Sequence, residues 1–95
     1  MNNQSVRGTR RETLEELRDS TRSGVGDWWI DRDGHNIYLR IPGDDSPTRW
    51  PFKESLPNGA CWKWDGNRDK PTITPSLHLV GVWHGWMKNG ELISV

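Results

Sequence analysis

The chain has a single cysteine among its 95 residues. No internal disulfide can form, so a disulfide-stapled secreted scaffold is excluded, and the lone thiol fits a reducing compartment. Long apolar runs are missing too. No stretch approaches the roughly 20 residues that a membrane-crossing helix needs. Residues 1–11 are polar, with no apolar segment behind them to serve as a secretion signal. Net charge is absent, since 13 basic residues meet 13 acidic ones. Without a net field, neither a membrane surface nor nucleic acid is expected as the main partner. Hydrophobic residues make up only 32%, and phenylalanine and tyrosine occur once each. A small domain buries a low fraction of its surface. The core of a soluble cytoplasmic protein of this length must therefore come from another source.

Tryptophan supplies it. There are seven, and each buried indole removes about 150–250 Å² from water. Four of them fall in CWKWDGNRDKPTITPSLHLVGVWHGW, residues 61–86, together with the cysteine and two of the three histidines.

Two regions are expected: an N-terminal arm and helix over 1–26, and a Trp-rich β-domain over 27–95. Residues 1–26 contain no aromatic side chain. Thr9 followed by Glu12 has capping-box spacing, and Gly24 suits a helix stop, which predicts a helix over about residues 10–22. Its apolar face is thin, just Leu14 and Leu17. Arg7, Arg10 and Arg11 make the start basic, either as a solvated end or as a contact arm for a partner.

From Asp27 the apolar period becomes two. DWWI, the turn DRDG and NIYLRI form a hairpin, with Ile37, Leu39 and Ile41 on one face and Tyr38 and Arg40 on the other. TRWPF is an edge strand, because Pro51 has no amide to donate. ESLPNG is a turn-rich connection. ACWKW puts Trp62 and Trp64 on one face. Pro71 and Pro75 in PTITPS hold an extended edge that sets the register of SLHLVG. Asn89-Gly90 returns the chain as ELISV, a hairpin signal. The fold class is mostly β (α+β): one N-terminal helix, then a small antiparallel two-layer β-sandwich or roll.

Three chemistries compete for residues 61–86. Cys61, His35, His78 and His84 are a possible ligand inventory for zinc, but they lack the paired short spacing of structural zinc sites. His78 and His84 lie about 20 Å apart on a regular strand unless Gly81 turns the chain. No metal or other cofactor is expected. For nucleophilic catalysis, Cys61 with His84 or Ser76 with His78 are imaginable pairs, yet no surrounding motif forces either geometry. An enzyme is not expected. The third option is a contact platform. Trp28 and Trp29 are adjacent, and Trp83 and Trp86 differ in parity, so not every indole can face one interior. Trp28, Trp29, Trp50 and Trp83 are the candidate binding residues, with Arg7, Arg10 and Arg11 secondary. Trp62, Trp64, Pro71, Pro75, Trp86 and Gly90 are read as structural.

The ordered pattern Trp62, Trp64, Gly66, then Pro71, Thr72, Pro75, Ser76, then His84, Gly85, Trp86 and Gly90 resembles a family of short Trp-rich proteins of bacteriophages and prophages, of unknown function. Many of those relatives carry an upstream Cys-rich knuckle and a Cys before the His. Here WIDRDGHNI has no cysteine, and Trp83 precedes His84. The resemblance implies a bacterial-host setting in which an ancestral metal site has been lost. The expectation is a non-enzymatic binding protein in the host cytoplasm that contacts a host protein or protein complex, with inhibition of a host defence or other host protein as a candidate role. The alternatives are a virion or self-assembling component that forms homo-oligomers, and a degenerate or intact zinc-binding domain.

Overall fold

The computed structural model describes residues 5–52 and 61–95. In chain order the elements are β1 (Ser5–Arg7), α1 (Leu14–Arg18), β2 (Trp28–Ile30), β3 (Asn36–Leu39), β4 (Thr48–Pro51), β5 (Lys63–Trp64), β6 (Ile73–Leu79), β7 (Trp83–Lys88) and β8 (Glu91–Ser94). They build two antiparallel sheets, ordered β1-β8-β7-β6-β5 and β2-β3-β4. The expected mostly-β architecture with one helix is therefore the one observed. The connection expected over ESLPNG lies outside the described residues.

One hydrophobic core joins the sheets. The smaller sheet contributes Trp28, Ile30, Ile37, Leu39 and Trp50, and the larger contributes Ile73, Leu77, Met87 and Leu92. Alternation places these residues inside: in β3, Ile37 and Leu39 are buried while Tyr38 between them is half-exposed. The β2–β3 turn is held by Asp31, whose carboxylate accepts from the His35 and Asn36 backbone amides and from the Asn36 side chain. β4 is the edge strand that Pro51 implies. At the β7–β8 turn, Asn89 and Gly90 both have positive φ, 49° and 77°, as a two-residue hairpin of this hand requires.

Three local expectations change. The helix is shorter and starts later. Thr13, not Thr9, caps it by accepting from the Glu16 amide, because Thr9–Arg11 runs extended beside β2: Arg11 donates its amide to the Trp28 carbonyl, and the Trp28 amide donates to Thr9. Arg40 is buried rather than solvated, with its guanidinium donating to the Leu17 carbonyl and the Ser23 hydroxyl. PTITPS is not an edge, since β6 lies between β5 and β7.

The N-terminal segment is tied in by one carboxylate. Asp27, 5% exposed, accepts from the amides of Thr9 and Gly24 and from the Arg11 guanidinium, all at 2.8–3.0 Å. A buried carboxylate is tolerable only when paired and hydrogen-bonded in this way.

Candidate active site

The site grows from the β6–β7 hairpin. A turn at 80–82, closed by the Val82 amide donating to the Leu79 carbonyl, folds the two strands so that His78 faces His84. The wide separation expected for a straight strand does not arise. The rings stack with centroids 4.4 Å apart and planes 25° apart. Further along, the register slips. Ile73 pairs with Met87, but Leu77 pairs with Gly85, so β6 spends four steps where β7 spends two. The surplus falls on Thr74, Pro75 and Ser76. Pro75 cannot donate to the ladder, and such a break is where proline fits within a sheet.

This bulge places Ser76 beside a histidine. The Ser76 Oγ lies 3.1 Å from the His84 Nε2. Neighbouring Leu77 is fully buried and anchors the strand, leaving Ser76 half-buried and both His78 and His84 exposed on the outer face. With the ring proton on Nδ1, Nε2 accepts from the serine hydroxyl. That is the geometry of a nucleophile and its general base. Among the described residues no carboxylate bonds the His84 ring, and the group packed against it is the His78 imidazole.

Two tryptophans position the pair from behind. The Trp62 indole N–H donates to the Ser76 carbonyl at 3.1 Å, its ring packs edge-on against Trp50 at 4.9 Å, and its own amide donates to the Pro51 carbonyl. The Ser76 backbone is thus tied to the smaller sheet. Trp83 lies over Gly85, where any Cβ would overlap the Trp83 ring and the Ile93 carbonyl. Its indole N–H donates to the Ser94 hydroxyl at 2.9 Å. Glycine is therefore required next to His84.

A family model described as the bacterial ubiquitination-like system serine protease (BubE) matches residues 13–95. The chain belongs to the BubE family. No curated protein and no solved structure gave a match. Ser76, His84 and Trp62 all lie within the BubE match, whereas β1 lies before it. Membership overturns the expectation of a non-enzymatic phage or host-defence binding protein, because the BubE description is that of a protease. A bacterial ubiquitination-like system also implies protein partners. No helix among the described residues is long and apolar enough to cross a membrane.

The other candidate residues are dispersed. Trp28 and Trp50 are core residues, 2% and 5% exposed, so neither offers a contact surface. Trp83 is half-buried beneath the site, and Trp29 is half-exposed against Tyr38. Arg11 is paired with Asp27 and Arg10 with Asp69, while Arg7 stands exposed in β1 opposite Glu91. Trp64 stacks on Phe52 at 5.1 Å, and Trp86 lies 6.4 Å from His84 on the outer face. Pro71 is buried, Pro75 is exposed in the bulge, and Gly90 closes the hairpin turn. The zinc inventory is not assembled: no three or more His, Cys, Asp or Glu side chains among the described residues could hold a metal ion. Cys61 and His35 are exposed.

The pairs suggested by spacing, Ser76 with His78 and Cys61 with His84, are not the one built. Ser76 bonds His84, the more distant histidine in sequence. The signal that could have found it was present. Ser76 and His84 both belong to the ordered pattern around PTITPS and WHGW, and only the register slip was illegible.

Proposed function

We propose that this protein is a serine protease in which Ser76 is the nucleophile and His84 its general base. The observation that carries this reading is the 3.1 Å approach of the Ser76 Oγ to the His84 Nε2. In acyl transfer His84 takes the hydroxyl proton as Ser76 attacks the scissile carbonyl. It then returns the proton to the leaving amine, and water releases the acyl group in the reverse sense. The outward face of β6 and β7 leaves the pair open to a chain arriving from solvent. His78, stacked on His84, restricts the ring to the orientation that faces Ser76. The substrate class that the family description supports is a protein of the ubiquitination-like system.

An active-site-directed fluorophosphonate tests the assignment. The expected result is one covalent adduct, located on Ser76 by peptide mass spectrometry and lost in His84→Ala. An adduct on a different serine, or labelling that persists without His84, would sink the assignment.

A further inference from the structure

Beside the smaller sheet lies an open cleft of about 590 Å³ whose lining includes Arg10, Arg11, Arg32, Arg68 and Trp29. None of these is in the Ser76–His84 pair. The arginines are not equivalent. Arg11 and Arg10 meet Asp27 and Asp69. Arg68 is held differently: its guanidinium donates to the carbonyls of Ile30, Asp31 and Arg32 at 3.1–3.2 Å and sits over the Trp64 ring. These partners fix its position without neutralising its charge. Arg32 is exposed, and among the described residues it meets no carboxylate. A guanidinium already held in place loses little freedom on binding, and its fork matches a carboxylate. Trp29 adds a flat apolar wall.

We infer that this cleft is a second binding site, taking a short acidic segment of a partner protein. Charge decides the class of occupant. The positive charge is bounded by carboxylates: Glu12 lines the cleft, Asp69 is paired with Arg10, and the exposed Asp33 follows Arg32 in sequence. The whole chain carries no net charge. A polyanion continuing past the cleft, such as a nucleic acid, would run into those carboxylates, whereas a few consecutive acidic side chains would not. This inference is independent of the protease assignment.

The probe is fluorescein-labelled hexaglutamate, followed by fluorescence anisotropy at low ionic strength. Wild-type protein and Ser76→Ala are expected to bind it equally. Arg32→Glu, a change at an exposed side chain, is expected to weaken binding about tenfold, and added salt to weaken it further. Nuclear magnetic resonance is expected to show the Trp29 indole N–H shifting as peptide is added. Absence of binding, or affinity unchanged by Arg32→Glu, would overturn the inference. So would an oligothymidylate of equal charge binding at least as tightly as hexaglutamate.

Discussion

Two polar centres in this molecule are built on opposite plans. Asp27 is buried and saturated: two backbone amides and one guanidinium converge on its carboxylate. Ser76 and His84 are reached by solvent, and their side chains are bonded to each other. The first arrangement fixes the chain path and leaves nothing to react. The second leaves a hydroxyl with an adjacent base and an unobstructed face. In a domain this small, a saturated polar group marks architecture, whereas an accessible hydroxyl bonded to an imidazole is an arrangement that chemistry can use.

Ser76→Ala tests that contrast most strongly. It is expected to lower kcat by about 10⁴-fold or more while leaving the denaturant midpoint unchanged. Steady-state hydrolysis alongside urea unfolding checks both halves. Asp27→Ala should do the reverse. Removing the carboxylate leaves Arg11 and two amides facing a dry pocket, at a cost of about 3 kcal/mol in unfolding free energy, read from the urea midpoint. An Asp27→Ala protein of full stability would erase the distinction between the two centres.

Trp62→Phe probes how the second centre is held in place. It keeps an aromatic ring against Trp50 but removes the donor to the Ser76 carbonyl. A hydrogen bond of about 1–1.5 kcal/mol corresponds to a roughly tenfold fall in kcat, with KM unchanged. A change confined to stability would make Trp62 a packing residue only.

The smallest effect concerns Asp31. Burial raises its carboxyl pKa, but hydrogen bonds from the Asn36 side chain and from the Asn36 and His35 amides outweigh this and hold it below the ordinary 3.8. The folded value lies below the unfolded one. Its contribution is therefore complete above 3.8 and is lost as pH falls through the folded value. Asp31→Asn should lower stability modestly at neutral pH, where the carboxylate's contribution is complete, and flatten the acid limb of a stability-against-pH curve, where that contribution is already lost.

Much of the fold was legible because it rests on short-range rules. The period-two patterns around Ile37 and Leu39, the DRDG and Asn-Gly turns, and the edge position of the Pro51 strand all depend on neighbours in sequence. The helix start was misplaced for a tertiary reason. Thr9 and Thr13 offer similar caps, and Thr9 is taken by Asp27, 18 residues away. Arg40 continues the outward parity of β3 but is covered by Leu17 of α1 and by Ser23 beyond the helix. The site was half legible. Ser76 and His84 stood out as members of an ordered pattern, but parity along a straight strand could not pair them.

The sequence by itself determined that this is a small tryptophan-cored β protein, because alternation, turn chemistry and the lack of cysteine and long apolar runs act locally or in bulk. Only the tertiary structure decided which serine meets which histidine and which tryptophans are interior. A bulge at Thr74, Pro75 and Ser76 shifts one strand by two residues against its partner, and a displacement of that kind is set by packing between sheets, which no local pattern encodes.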